Sequence, residues 1–193
     1  RHLPAQPRTE DAGGGVFPKI KPPFHAVPCG GRHAVRPGTD NDITTTKKMA
    51  VRYFTDDCTY RLPQKRLTAR WLHEVAAGEG YALGDVTYIF CSAQRLLEMN
   101  RQYLGHDYFT DVITFDYSDR KGTRIVSGDI FIDVETVADN ARQYGFTALQ
   151  EMRRVVVHGV LHLCGQGDKT PRTNAQMHRK EDKYLKFWEN FAK

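Results

Sequence analysis

Two histidines in an apolar run of the sequence have the spacing of a metal-binding pair. His158 and His162 are four residues apart within V-V-V-H-G-V-L-H-L-C-G, so on a helix both imidazoles leave the same face, one turn apart. Gly165 can end that helix, and Asp168 then supplies a carboxylate. Three protein ligands leave a fourth position for water, which is typical of a catalytic zinc site. The sequence therefore predicts a hydrolytic metal centre of His158, His162 and Asp168.

The ligand spacing matches that of the zinc peptidase motif H-E-x-x-H-x-x-G-x-x-H, with Asp168 in the position of the third histidine. Gly159 stands where such a peptidase has its general-base Glu. Because a carboxylate is a harder ligand than an imidazole, iron or manganese competes better with zinc here than at an all-histidine site. We therefore predict one Zn²⁺ per chain, or another divalent metal, at a site that lacks the base of the peptidases.

The same residues resemble those of the YbeY family, bacterial endoribonucleases of ribosomal RNA maturation. The segment H-G-V-L-H-L-C-G at residues 158–165 is similar to the family motif H-G-x-L-H-L-x-G-x-D-H. The segments T-D-V-I-T-F and S-G-D-I-F-I, at residues 110–115 and 127–132, are similar to the family blocks T-D-V-L-S-F and G-D-I-x-I. The last histidine of the family motif is the third metal ligand, and this chain has Asp168 there. The resemblance runs from about Met49 to the C-terminus.

The resemblance implies a zinc-dependent endoribonuclease for single-stranded RNA, acting in ribosomal RNA processing and ribosome quality control. It implies ribosomal RNA and the small ribosomal subunit as partners, a cytoplasmic location, and no DNA or membrane partner. Two other functions stay open on the sequence. One is a metalloendopeptidase, which the ligand spacing favours and Gly159 disfavours. The other is a ribosome-associated binding protein whose metal is structural. The oligomeric state is also left open.

Two further residues are candidates for catalysis. The segment Y-L-G-H-D-Y-F-T at residues 103–110 resembles the family pattern Y-R-G-x-D-x-P-T, with Leu104 in place of the Arg that is thought to contact phosphate. His106 is the nearest group able to supply a proton or a positive charge, and a solvated loop histidine is the alternative. Asp111 could orient a ligand imidazole, and a turn-capping Asp is the alternative.

The charge of the chain is concentrated in its first quarter. Residues 1–48 hold eight Lys/Arg and four Asp/Glu, which is most of the net charge of +5, together with seven of the nine prolines. The basic balance therefore gives no evidence that the remaining residues bind RNA. No helical or strand periodicity persists before Met49, so we predict a disordered or non-native N-terminal extension at residues 1–48 and a single domain at residues 49–193.

Hydrophobic periodicity predicts an α+β domain with a four-stranded mixed sheet flanked by helices. The four cysteines are scattered without a C-x-x-C pair, which fits a reducing cytosol, and no apolar run has the length of a membrane span. A T-x-x-Q capping box at Thr147 and Gln150 should start the metal helix. The predicted strands are residues 50–54, 85–92, 110–117 and 125–132, and the other predicted helices are residues 65–77, 93–103, 134–144 and 174–191.

Overall fold

The computed structural model of the chain describes residues 50–119 and 122–192, so the predicted extension at residues 1–48 lies outside the described residues. The strands are β1 (Val51–Thr55), β2 (Ala82–Cys91), β3 (Val112–Asp116) and β4 (Ile125–Asp133). The helices are α1 (Lys65–Gly78), α2 (Ala93–Met99), α3 (Val134–Tyr144), α4 (Ala148–Leu163) and α5 (Pro171–Phe191). A π-helical turn, Asn100–Leu104, follows α2 directly.

The four strands form one mixed sheet in the order β1-β2-β4-β3. β1 pairs with β2 and β2 with β4 in parallel, whereas β3 pairs with β4 in the antiparallel direction. The predicted α+β architecture with a four-stranded mixed sheet flanked by helices is confirmed. β3 is an edge strand of this sheet, and it lies next to the metal-helix candidate α4.

The two faces of the sheet are covered by different helices. Along β4, Ile130 and Ile132 belong to one buried cluster and the intervening Phe131 belongs to a second, as expected for side chains that alternate across a strand. The first cluster contains residues of α1, α4 and α5, and the second contains residues of α2. The main contributors of the three helices to the first cluster are Trp71, Leu72, Val156, Val160, Met177 and Trp188.

Gly159 lets α4 approach the sheet closely. A Cβ atom at this position would lie 2.8 Å from Cγ2 of Ile130 in β4, which is closer than such carbon atoms pack. The backbone of α4 therefore lies directly on the sheet at the residue that follows His158. This contact sets the distance between α4, which carries the two histidines, and the sheet.

Two helix ends differ from the prediction. α5 starts at Pro171, whereas the sequence pattern predicted a start at residue 174. Thr170 is its N-cap and accepts a hydrogen bond from the backbone N–H of Thr173 at 3.1 Å. The predicted helix 93–103 ends as an α-helix at Met99, and the π-helical turn then leads to Gly105, whose φ of 68° ends the segment.

Two expectations from composition can be compared with the described part of the chain. Its cysteines, Cys58, Cys91 and Cys164, form no disulfide there. None of the helices found there combines the length and the apolar character needed to cross a membrane.

A carboxylate joins the end of α1 to α5. Glu79 follows α1 directly and accepts a hydrogen bond from Lys180 Nζ at 2.5 Å and from Tyr184 Oη at 2.7 Å. Burial by itself would raise the pKa of Glu79, but these hydrogen bonds and the charge of Lys180 lower it below the ordinary value of 4.5. The carboxylate therefore stabilises the fold only in its ionised form.

We predict that Glu79→Gln lowers the free energy of unfolding by about 1–2 kcal/mol at pH 7, because the charged acceptor is lost. Since the folded-state pKa lies below the unfolded one, the stabilisation is fully present above about pH 5. It is lost as the pH falls through 4.5 and below. Urea unfolding of both chains between pH 7 and pH 3 measures the difference, with Glu74→Gln on the exposed side of α1 as the control. A difference that is the same at both ends of this range would contradict the assignment.

Candidate metal centre

The two histidines of α4 present their Nε2 atoms to one point. His158 Nδ1 donates a hydrogen bond to Glu181 Oε1 at 2.7 Å, and His162 Nδ1 donates to the backbone carbonyl oxygen of Gln166 at 2.8 Å. A carbonyl oxygen only accepts, so Nδ1 of His162 carries the hydrogen. In each neutral imidazole the Nε2 lone pair is then available to a metal.

Asp168 returns to the histidines through a turn after α4. Gly165, with a φ of 88°, donates its N–H to the carbonyl of His162 at 2.8 Å, and Gln166 donates to the carbonyl of Leu161 at 2.9 Å. The chain then turns back, so that Asp168 Oδ2 lies 3.6 Å from His158 Nε2 and 3.4 Å from His162 Nε2. The predicted ligands are therefore brought together.

These distances fit a divalent metal. Ligand atoms of the three residues all lie within 4.8 Å of one another. In a tetrahedral site with bonds of about 2.0–2.1 Å, the ligand atoms are about 3.3–3.4 Å apart. Two nitrogens and one carboxylate oxygen in this arrangement could hold a metal ion, with room left for one further ligand.

Glu181 on α5 is the centre of a charged cluster beside the ligands. Its side chain is 2% exposed, and besides the bond from His158 it accepts one from Arg154 Nη1 at 3.1 Å and one from His178 Nδ1 at 3.1 Å. Arg154 also contacts Asp182 at 2.8 Å. Burial alone would raise the pKa of Glu181, but the hydrogen bonds and charges of His158 and His178 lower it to about 2. The carboxylate that holds His158 is therefore ionised.

The ligands themselves have shifted pKa values for related reasons. Burial would lower the pKa of His158, and the hydrogen bond and charge of Glu181 raise it above its ordinary value. Burial would raise the pKa of Asp168, and the two histidines lower it. Burial raises the pKa of Asp111, although the charge of His158 opposes this. The carboxyl groups with lowered pKa values, Asp168 and Glu181, thus lie on opposite sides of the His158 imidazole.

The ligands line an open cavity of about 970 Å³ between α4, α5 and the segment before β3. His106 and Asp111 line the same cavity, so the predicted catalytic candidates are near the predicted ligands. His106 is exposed, and its Nδ1 is 3.1 Å from the hydroxyl of Tyr108. Asp111 is partly buried, and its backbone carbonyl accepts from the N–H of Asp133 at 2.9 Å. The catalytic roles of His106 and Asp111 stay predictions.

Leu104, which replaces the family Arg, cannot supply a positive charge to the cavity. It is partly buried and packs against the second core cluster with Tyr103. Arg154 lines the cavity, but its guanidinium is held by carboxylates. Lys169, directly after Asp168, also lines the cavity and is exposed, and it forms no ion pair with the residues that the structure describes. It is thus the cavity-lining cation best able to meet a ligand.

Sequence reasoning missed Glu181, although a signal was available. Met177, Glu181, Tyr184 and Trp188 are buried at spacings of four, three and four residues along α5. A carboxylate in such an apolar stripe must have charged or hydrogen-bonding partners, because burying it alone is costly. The acidic residue in the core-facing stripe therefore marks a site. The Gln166 carbonyl has no comparable sequence signal, because it is a backbone group positioned by a turn.

We predict that Glu181→Gln weakens metal binding by about 10- to 100-fold, because a neutral amide holds the His158 imidazole less firmly. Titration against a chromogenic chelator measures the affinity, with His162→Ala as the variant that should lose the metal. Glu189→Gln, an exposed position on the same helix, is the matched control. Unchanged affinity in Glu181→Gln would show that the hydrogen bond does not position the ligand.

Comparison with known proteins connects this geometry to a family. The family model described as "Endoribonuclease YbeY" matches residues 54–189. A relative from Bacteroides thetaiotaomicron, named endoribonuclease YbeY, is 48% identical over 137 residues, which are 71% of this chain and 98% of the relative. A protein of the same name from Cytophaga hutchinsonii is 44% identical over 139 residues, covering 72% of this chain and 96% of that protein.

A solved structure agrees with the fold. The solution structure of TM1509 from Thermotoga maritima aligns with a TM-score of 0.50 and 28% sequence identity, over 72% of this chain and 89% of the other. The family match covers every described element except the start of β1 and the last residues of α5. The metal-ligand candidates, the aromatic segment before β3 and Glu181 all lie inside it. The chain belongs to the YbeY endoribonuclease family.

Proposed function

We propose that this protein is an endoribonuclease that uses a divalent metal, with zinc as the preferred ion, to cleave single-stranded RNA in ribosomal RNA maturation and quality control. The observation that carries the proposal is the convergence of His158, His162 and Asp168 in an open cavity of a YbeY-family chain. A divalent metal bound there would polarise a phosphodiester and lower the pKa of water. The small ribosomal subunit as partner and a cytoplasmic location belong to the same proposal.

The protein's own contribution is to hold the ligands and to supply charge. Glu181 fixes the orientation of the His158 imidazole, and Arg154 in turn holds Glu181. This arrangement sets the position of Nε2 before a metal or a substrate arrives, and preorganisation of this kind is a large part of catalysis. Asp111, beside His158 in the cavity, is the proposed carboxylate for orienting the site or accepting a proton from water.

Positive charge for the scissile phosphate has two proposed sources. The family Arg is replaced by Leu104, whose side chain packs against apolar residues. Lys169 is the stronger candidate, because it is exposed in the cavity wall directly after Asp168 and has no carboxylate partner among the described residues. His106 is the second candidate, because it lines the cavity from the opposite loop. A cation near the phosphate stabilises the charge that develops in the transition state.

The metallopeptidase alternative has a specific observation against it. The position of the peptidase general base is Gly159, and a side chain there would run into Ile130 of β4. A Glu at this position would therefore require a shift of the Ile130 side chain or of α4. The other alternative is a binding protein with a structural metal. Such a protein would bind RNA without cleaving it.

We predict that the metal-loaded chain cleaves an unstructured oligoribonucleotide and leaves casein intact. Cleavage should be abolished by a chelator, restored by Zn²⁺, and lost in His162→Ala, because each change removes the metal. Gel analysis of labelled RNA measures the rate, and circular dichroism checks that the variant is folded. Casein hydrolysis that RNA does not inhibit would reverse the proposal, and inactivity on both substrates would favour the binding protein.

We predict that Lys169→Ala lowers kcat by about 10- to 100-fold without changing metal content, because it removes positive charge beside the phosphate. His106→Ala should also slow cleavage and leave the metal bound. Lys186→Ala, an exposed lysine of α5 that does not line the cavity, is the matched control. Single-turnover rates at saturating RNA and metal analysis of each variant provide the measurement. If one of the two variants keeps the wild-type rate, that residue has no part in the chemistry.

A further inference from the structure

Two neighbouring aromatic rings are exposed beside the metal-ligand candidates. Tyr108 is 50% exposed and Phe109 is 56% exposed, and both line the cavity that contains His158 and Asp168. Large apolar side chains in water are individually common, but two in succession at the rim of a site are a signal of binding. The segment from Gly105 to Phe109 that carries them, here named the aromatic loop, joins the π-helical turn to the strand β3.

The aromatic loop has a fixed conformation that is set by a buried amide. Asn100 is 1% exposed, and its Nδ2 donates a hydrogen bond to the carbonyl of Tyr108 at 2.8 Å. The backbone carbonyl of Asn100 accepts a hydrogen bond from the backbone N–H of His106 at 3.2 Å. An ion pair of 2.6 Å between Arg101 and Asp107 adds a further link. The backbone that carries the exposed rings is therefore held by several hydrogen bonds, which lowers the ordering entropy that binding would cost.

Two rings of the aromatic loop lie face to face. The His106 and Tyr108 rings are stacked, with 5.1 Å between centroids and an interplanar angle of 20°. Phe109 follows Tyr108 directly and is the more exposed of the two. Flat aromatic surfaces bind unpaired nucleobases by stacking, and this interaction accepts every base because each has a π-face.

The charges that line the cavity indicate whether it binds a base or the phosphate backbone of an RNA molecule. A groove that follows the phosphate backbone is lined by many cations. Here ionisable carboxyl groups outnumber the fixed cations, and one of the two cations, Arg154, is already paired. A neutral base fits such walls better than a row of phosphates does. The carboxyl groups that line the cavity belong to Asp111, Glu151, Asp168 and Glu181, and the fixed cations are Arg154 and Lys169.

Neutral polar groups complete the walls. Asn140 and Gln143 of α3 and Asn174 of α5 line the cavity with amide groups, which can pair with the edges of a base. The hydroxyl of Thr114 on β3 is buried in the same cavity wall and has no hydrogen-bond partner among the described residues. A buried polar atom without a partner is uncommon and costly, and a bound polar ligand reached through a small shift of the wall would satisfy it.

We infer that Tyr108 and Phe109 form a stacking platform for an unpaired base of the RNA, next to the phosphodiester that the metal centre meets. The inference rests on the proposed function, because it takes RNA to be the substrate. The platform gives a physical reason for selecting single strands, since a paired base is stacked within its duplex and has no free face to offer. Specificity for single-stranded RNA then comes from the aromatic loop, and the metal site supplies the chemistry.

The test is binding of a short oligoribonucleotide that contains one 2-aminopurine, whose fluorescence is quenched on stacking. The fluorescence is read directly after mixing, before hydrolysis changes the probe. The zinc-loaded full chain should quench the probe, and Tyr108→Ala and Phe109→Ala should each weaken Kd by about 5- to 100-fold, the loss of one stacked base. Tyr108→Phe and Phe109→Tyr should keep the affinity, because each conserves the ring.

Two controls separate stacking from damage to the fold or the metal site. Phe54→Ala removes a ring of similar exposure, 47%, on β1 and outside the cavity, and it should leave Kd unchanged. Metal content should be the same in every variant. A duplex form of the probe should bind more weakly to the wild type, and the two alanine variants should not weaken that binding further.

The outcomes distinguish the platform from the nuclease proposal. If the alanine variants bind the single strand as tightly as the wild type while RNA is still cleaved, the platform is wrong and the nuclease proposal stands. If the wild type cleaves no RNA but quenches the probe in a ring-dependent manner, the platform stands and the nuclease proposal fails. If the alanine variants change only the oligomeric state, measured by analytical ultracentrifugation, the aromatic loop is a contact between copies of the chain and the platform is overturned.

Discussion

The hydrogen bond from His158 to Glu181 is the interaction on which the site depends most. It joins α4, which carries both histidines, to α5, which follows the turn containing Asp168. A buried carboxylate would be costly alone, so Arg154 and His178 also bond to it. α4 packs on β3 and β4 of the sheet, and α5 packs against α4 and α1. The orientation of one imidazole therefore reflects the packing of two helices, and the ionised Glu181 is the point where they meet.

The contact between α4 and the sheet imposes a second constraint, which limits the chemistry available. Gly159 allows the helix to lie directly on Ile130 of β4, and a Cβ atom at this position would come within 2.8 Å of Ile130 Cγ2. Catalytic groups other than the metal ligands must therefore come from elsewhere. The proposed catalytic groups, His106, Asp111 and Lys169, line the cavity from other segments of the chain. The division explains how a peptidase-like ligand spacing can occur with a different substrate.

Sequence patterns predicted the parts of the structure that depend on local spacing. The capping box at Thr147 and Gln150, the two histidines one turn apart and the four-stranded mixed sheet are all present. Predictions failed or were absent where the cause is not periodic. The π-helical turn at Asn100 adds a residue to a turn without changing the apolar pattern around it. The hydrogen bond to Glu181 joins residues 23 positions apart, and no local spacing encodes that contact.

The order of the ligands along the chain affects how long a metal stays bound. All three candidate ligands lie within the eleven residues from His158 to Asp168, so none of them comes from α5. The carboxylate that orients His158 arrives only when α5 docks. Partial unfolding confined to α5 would therefore loosen the ion while the sheet stays intact. The residence time of a metal held there would then depend on how often α5 opens, a property of helix packing rather than of coordination chemistry.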